Sequence, residues 1–401
     1  MNWFRKQRIY LDYASAPPVL PAAEKAVRDA SKFVGNPGAI HAEGVEAKRA
    51  LDDARARIAR ILGAKAREII FTSGLTEANN LCILGFARAL ERKKRTLADS
   101  HWIVSSIEHT SVLDCFAEIE RLGGSVTHVD PNEKGIVTAE SIGKALRPET
   151  AFVSVGWANN EIGTIQPLSR IAETLHTHRE KHGSAVIFHS DAGQAPLYLS
   201  TTVNSLGVDL LALGGNKLYG PHGVGALFIK NSADLVRVIQ GGPQERGLRP
   251  GTENVALACG FAAAFEEIVR TREREAKRIA ALRDQFASEL MDKIPGLVVN
   301  GDLRHALPHM LNVSIPESAS WRKSEYLTLQ LDQKGVAVST KSACREGEES
   351  RSHVVEALIP LALREIEGWR AVNTIRFSLG QETTLLDIER VSDILGLLVK
   401  A

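Results

Sequence analysis

The sequence has almost no excess of either charge. Its 49 Lys and Arg stand against 48 Asp and Glu, for a net charge of +1. That balance predicts no bulk attraction to nucleic acid or to an anionic membrane. No apolar run is long enough to span a bilayer. The N-terminus, MNWFRKQRIYLDYAS, has basic residues but no apolar core segment, so it does not read as a secretory signal. Cysteine is scarce, with four residues at wide, irregular spacing. This argues against a disulfide framework and for a reducing, cytoplasmic setting. Internal repeats and low-complexity segments are absent. What remains is ordinary for a globular chain, with 44% apolar and 24% charged residues. Its 401 residues suffice for two domains with cores of their own.

One stretch organises the reading. LALGGNKLYGPHGVG (211–225) sets Lys217 in a glycine-rich turn after the apolar run DLLAL (209–213). A lysine held there faces inward, and partial burial frees its amine to attack a carbonyl. A Schiff base to pyridoxal phosphate (PLP) needs such an amine. Taken alone, the stretch reads more readily as a surface lysine in a Gly-rich turn.

Strands and helices alternate along the first 230 residues. Strands are predicted at 9–13, 68–72, 102–106, 125–129, 151–156, 185–189, 210–213 and 226–229. Helices are predicted at 21–33, 43–62, 77–90, 111–122 and 167–182. The 43–62 helix places Val45, Ala50, Ala54, Ile58 and Ile61 near helical spacing. The alternation argues for an α/β fold, with a mostly parallel sheet covered by helices on both faces. Ligands of such sheets bind off the carboxyl ends of the strands. Ser73, His109, Asn159, Asp191 and Lys217 all fall at predicted strand ends. A long helix over 256–294 leads to a smaller α+β unit with strands at 297–300, 310–315, 336–339 and 374–378. Further helices are predicted there at 324–334, 352–358 and 385–398.

Several segments carry candidate chemistry. EIIFTSGLTEANN (68–80) runs from strand through a glycine turn into a helix, which is an anion site or an ordinary helix cap. Asp191 in HSDAGQ (189–194) suits a pyridinium partner, with Gln194 in reach of a phenolic oxygen; a helix cap or salt bridge is the plainer alternative. His109 suits ring stacking and proton movement, or a structural role. Cys82, Cys115 and Cys259 lie in helical apolar patterns and read as core residues. Cys344 lies in the polar loop STKSACREGEESRS (339–352) beside Lys341 and Arg345, which favour its thiolate. His178 and His182 share one helix, but without a third ligand they read as a solvated face rather than a zinc site.

Taken in order, YLDYASAPPV, GNPGAIHAEG, IIFTSGLTEANN, SSIEHTSVLD, ANNEIGTIQP, HSDAGQAP, NKLYGPHGVGAL, PQERGLRPGTEN, STKSAC, SHVVEAL and IRFSLG resemble the cysteine desulfurases. These are fold-type I PLP enzymes of the aminotransferase class V family. The loop from Cys344 to His353 is similar to that of the long-loop group, the nitrogenase and iron–sulfur-cluster type. The resemblance implies a large PLP domain over 15–261, with a mostly parallel seven-stranded sheet. It also implies a small domain over 1–14 and 262–401 that carries the cysteine loop.

The resemblance further implies roles. Lys217 bears the cofactor, His109 stacks on it and shuttles protons, Asp191 pairs with its ring nitrogen and Gln194 meets its phenolic oxygen. Gly74, Leu75, Thr76, Gly214 and Asn216 surround the phosphate, with Thr252 contributed by the partner of a homodimer. Asn159 and Arg376 hold the substrate carboxylate, and Cys344 is the nucleophile. L-cysteine would yield L-alanine and a persulfide on Cys344, passed on to a sulfur-acceptor or scaffold protein. Iron–sulfur assembly, tRNA thiolation and DNA phosphorothioation all draw on such sulfur. A selenocysteine lyase, another class V enzyme or a PLP-poor scaffold are the alternatives.

The chain departs from the family pattern in places. The family has Ser-x-His-Lys where this chain has Gly214, Gly215, Asn216 and Lys217. Gly214 offers no hydroxyl, and losing a donor to a charged phosphate costs about 1.5–3 kcal/mol. Ser15, Ala16 and Pro17 stand where Ala-Thr-Thr is usual. The chain ends about two helical turns after Ile394, which implies no C-terminal extension for scaffold docking. These departures bear on cofactor affinity and partner identity rather than on reaction type.

Overall fold

The computed structural model describes residues 8–183, 185–230, 233–316, 324–340 and 351–400. Its strands are β1 (Ile9–Tyr10), β2 (Ile69–Thr72), β3 (His101–Ser105), β4 (Ser125–Val129), β5 (Thr150–Ser154), β6 (Ile187–Asp191), β7 (Leu210–Gly214), β8 (Gly225–Ile229), β9 (Val298–Val299), β10 (Met310–Ser314), β11 (Val336–Ala337) and β12 (Thr374–Ser378). Seven of them form one sheet in the order β2-β8-β7-β6-β5-β3-β4. Pairing is parallel from β7 through β6, β5 and β3 to β4, and antiparallel on both sides of β8. The predicted α/β class and mostly parallel sheet therefore hold. The short return from β7 to β8 reverses the chain and leaves Lys217 at the carboxyl end of β7.

The central strands are buried along their whole length, as expected where helices cover both faces. Side chains alternate between two cores. Ile69, Phe71, Ile103, Val153 and Phe188 enter one, and Ile70, Trp102, Val104 and Phe152 enter the other. Among the described residues, no further strand pairs at the β2 edge. Phe71 N instead donates to Glu245 Oε2 (2.8 Å) and Arg55 Nη1 donates to Ile69 O (3.0 Å). Arg55 and Glu245 close this edge with a two-pronged ion pair.

The helix Val255–Lys293 has 39 residues, or about 58 Å at 1.5 Å per residue. Phe261 and Phe265 at its start pack into the large-sheet core. Ile279, Phe286 and Leu290 further along pack with Leu311, Phe377 and Leu395 around the antiparallel trio β12-β10-β9. β1 pairs with β11 beside this second core.

Some expectations need correction. Val45 is 36% exposed. The buried stripe of its helix, Ala42–Leu62, runs through Ala47, Leu51, Ala54, Ile58 and Leu62, and Val45 lies about 200° around the axis from Ala47. The helix after β2 begins at Leu75, not 77. A short helix, Ala139–Ala145, capped by Thr138, escaped the sequence reading. His178 is buried rather than solvated, because it continues the inward stripe Leu168, Ile171, Leu175. Its ring stacks on His182 at 4.6 Å. Cys82 and Cys115 are buried and Cys259 half-buried, as expected of core residues.

Candidate active site

A cavity of about 470 Å³ opens at the carboxyl ends of five strands of the large sheet. The turns after β2, β3, β5, β6 and β7 bring Gly74, Leu75, Thr76, His109, Asn159, Asp191, Gln194, Asn216 and Lys217 to its wall, and β12 adds Arg376. Two predicted members stand elsewhere. Gly214 lies behind the lining, under Leu75. Thr252 is exposed and outside this cavity. Cys344, with Lys341 and Arg345, lies outside the described residues.

Lys217 is half-buried, and its Nζ donates to Ala14 O (3.0 Å) and Ser15 O (2.7 Å). Two residues on, Tyr219 adopts a left-handed backbone (φ 56°), costly for a side-chain-bearing residue. Its buried environment holds it there: the ring lies 6.1 Å from that of Tyr13 and its hydroxyl accepts from Gln381 N. The tight reversal that aims the lysine inward is thus fixed from behind.

Asp191 ends β6. Its Oδ1 accepts from Gly193 N (2.8 Å) and its Oδ2 from Asn79 Nδ2 (2.7 Å). Asn79 is fully buried and also donates to Ser111 Oγ (3.0 Å), which meets His109 Nδ1 at 2.9 Å. Ser111 N donates to the same Nδ1. His109 therefore caps the helix Thr110–Arg121 with Nδ1 and keeps its proton on Nε2. Burial pushes its pKa down, with Lys217 adding to the effect and Asp191 opposing it. The sequence reading missed Asn79 and Ser111. The available signal was an amide on the face of the Leu75–Arg92 helix one turn after Thr76.

Glu108, also missed, lies beside them in the wall. Its carboxyl is buried and accepts from Gly156 N (2.8 Å). Burial, with the charge of Asp191, pushes its pKa up to about 8.

Gln194 is buried between Ala14 O, to which its Nε2 donates (2.9 Å), and His309 Nε2, from which its Oε1 accepts (3.2 Å). His309 is neutral, its pKa pushed down to about 3 by burial and by the nearby Arg376. Asn159 accepts from Glu161 N and Ile162 N and donates to Ile107 O. One of its amide protons remains for a ligand.

Arg376 is 2% exposed. It donates to Asn160 O (2.9 Å), Asp12 Oδ1 (2.8 Å) and Ser15 Oγ (2.7 Å). Its buried Nε finds no partner among the described residues. Ser339 pairs with the Arg376 backbone. Ser352 donates to buried Glu161 (2.5 Å), and His353 Nε2 lies 3.0 Å from Glu108 O. Both flanks of segment 341–350 are thus anchored at the cavity wall.

The residues fit PLP. A carboxylate sits at one end for a ring nitrogen, and a side-chain amine stands in the wall. The helix Leu75–Arg92, which also lines the cavity, starts with no side-chain cap, leaving N–H groups for a phosphate. The orphaned guanidinium donor fits a substrate carboxylate. Among the described residues, no cluster could hold a metal ion and no helix is long and apolar enough to cross a membrane.

The aminotransferase class V family profile matches residues 9–391. The chain is 38% identical over 398 residues to "Cysteine desulfurase IscS" of Dictyoglomus turgidum, covering 98% of this chain and 95% of that protein. Among solved structures it resembles a "NifS-like protein" (TM-score 0.87, 29% identity, 98% and 99% coverage). It also resembles "SspA in complex with cysteine" (TM-score 0.77, 31% identity, 92% and 98% coverage).

Proposed function

We propose a function that starts from kinship: the chain belongs to the aminotransferase class V family and acts as a cysteine desulfurase. The observation that carries this reading is the convergence of Lys217, Asp191, His109 and Arg376 on one cavity. PLP bound there supplies an electron sink for the carbon next to the substrate amine. Lys217 attaches the cofactor and Asp191 keeps its ring nitrogen protonated. Gln194 donates to its phenolic oxygen. Thr76, Asn216 and the N–H groups after Gly74 hold its phosphate. His109, with Nδ1 committed to Ser111, stacks on the ring and carries protons on Nε2. Arg376 and Asn159 hold the carboxylate of L-cysteine.

Cys344 takes the sulfur. Its thiolate attacks the substrate sulfur, an S–S bond forms, and the C–S bond breaks. The carbon side retains the electron pair and is protonated, to leave as L-alanine. The anchored flanks Ser339 and Ser352–His353 support a nucleophile delivered to this wall.

The protein works as a homodimer. Thr252 stands exposed in a segment rooted by the Glu245–Arg55 pair, and it serves the partner's phosphate site. Residues 15–261 form the cofactor unit, and 1–14 with 262–401 form the small one. The persulfide passes in the cytoplasm to an acceptor protein, with iron–sulfur cluster assembly as the destination.

The holoenzyme incubated with L-cysteine should release alanine and gain the mass of one sulfur on the tryptic peptide bearing Cys344. Cys344→Ala should still bind L-cysteine with a spectral change but form neither product. Alanine release at the wild-type rate from that variant would defeat the proposal.

A further inference from the structure

Gly214 is a glycine that its backbone does not require. Its φ of −120° and ψ of 125° are open to any residue. The constraint is space. A Cβ there would lie 3.1 Å from Leu75 Cβ and 3.2 Å from Asn216 Oδ1. Gly193 repeats the pattern, since a Cβ there would come within 2.6 Å of Leu75 Cδ2. Gly225 does so as well, because a Cβ there would meet Gly74 at 2.8 Å. None of the three has a left-handed backbone. The Gly74–Leu75 turn therefore lies directly on the bare ends of β6, β7 and β8.

We infer that Leu75 and Gly214 form a coupled pair that sets how this chain binds the cofactor phosphate. The inference rests on the PLP reading above. The Leu75 side chain covers the bare backbone at 193 and 214, so a side chain at 214 fits only if Leu75 and Asn216 give way by a few tenths of an ångström. Donors to phosphate come instead from the helix N-terminus, Thr76 and Asn216. Gly214 is then an accommodation to Leu75, not simply a missing ligand. Restoring a serine at 214 alone pushes against Leu75 Cβ, which is fixed in the first turn of a helix, and shifts the N–H groups that bind phosphate. Removing the Leu75 side chain first makes room for that serine.

The test is a double-mutant cycle on PLP binding, read by the visible absorbance of bound cofactor as PLP is titrated into the apoprotein. Gly214→Ser should raise the dissociation constant about tenfold or more, as overpacking of a tight site does. Leu75→Gly, which removes the Cβ that faces position 214, should raise it a few-fold. The double variant should return to within about threefold of wild type, far from the product of the two singles. Gly214→Ala adds the same Cβ without the hydroxyl and should weaken binding as Gly214→Ser does; it stands in if the serine variant does not fold. A Gly214→Ser protein that binds PLP as well as wild type or better would overturn the inference, and so would additive effects. A wild-type protein that takes up no PLP would overturn the functional reading as well, whereas PLP binding without coupling defeats this inference alone.

Discussion

The two ends of the cavity are built from different materials. At the ring end, side chains bond to side chains: Asp191 to Asn79, Asn79 to Ser111, Ser111 to His109. Asn79 is fully buried and each link is short. At the phosphate end, the wall is mostly backbone. Gly74 carries no cap, Thr76 is exposed, and Gly214 is bare under Leu75. A chain of bonded side chains running through buried Asn79 fails when that member changes, because its loss leaves its neighbours unsatisfied. A helix N-terminus offers its N–H groups whatever side chains surround it. This difference bears on where the chain departs from the family pattern: Gly214 lies in the bare backbone under Leu75, whereas Asp191 and His109, joined through Asn79 and Ser111, keep the residues of that pattern.

The largest expected effect is at Lys217. Lys217→Ala should abolish turnover and the visible band of covalently held cofactor. An unchanged spectrum would remove this lysine from its role. Next comes Asn79, which touches neither substrate nor cofactor in this reading and acts through Asp191 and Ser111. Asn79→Ala should leave Asp191 under-bonded in a buried site. The expected loss is about 1–3 kcal/mol, or about 5- to 150-fold in PLP affinity. Equal PLP affinity in the variant would show that the ring end does not depend on its network.

The ring end was partly legible in the sequence. Lys217, Asp191 and His109 stand at strand ends, and an alternating strand–helix pattern locates strand ends well. Asn79 and Ser111 were not legible, because each sits within a helix where a polar residue usually faces water. Only the fold turns that face of the Leu75–Arg92 helix toward Asp191. Glu108 was hidden by its neighbour, since a carboxylate beside a candidate histidine gives no sign of burial. At the phosphate end the sequence showed which donor was missing at Gly214. It could not show Leu75 resting on that glycine, because residues 139 positions apart meet only in the folded chain. The strands expected at 310–315 and 374–378 are present at Met310–Ser314 and Thr374–Ser378. Val45 and His178 were misplaced because a helix face is set by the whole buried stripe rather than by single residues.

A pH experiment separates Glu108 from the rest of the ring end. Its pKa in the fold is about 8, against the usual 4.5 for a glutamate. Between those values the folded protein holds a proton that the unfolded chain has lost. Stability therefore falls as pH rises from about 4.5 toward 8, then levels off once Glu108 is ionised in both states. Glu108→Gln has no such proton and should flatten that part of the profile. Urea midpoints measured across this range in both proteins would check it. The same slope in both would mean that Glu108 is ionised in the fold at neutral pH.

The smallest expected effect lies at Thr76, the exposed hydroxyl of the phosphate end. Thr76→Ala removes one side-chain donor but leaves the helix N–H groups and Asn216 in place. Water can replace this exposed donor, so the loss should stay at or below the lower end of the ~1.5–3 kcal/mol of a hydrogen bond to a charged group, and PLP should bind at most about 12-fold more weakly. The helix has no side-chain cap to lose, so its own stability should hardly change. Turnover at saturating cofactor should stay near wild type, because Thr76 serves only as one phosphate donor among several in this reading. The comparison with Asn79→Ala is then direct: one variant deletes the buried link of a bonded chain, the other a donor among several. If Thr76→Ala lost as much PLP affinity as Asn79→Ala, the phosphate would depend on that hydroxyl rather than on the backbone. The contrast between the two ends of the cavity would then fail.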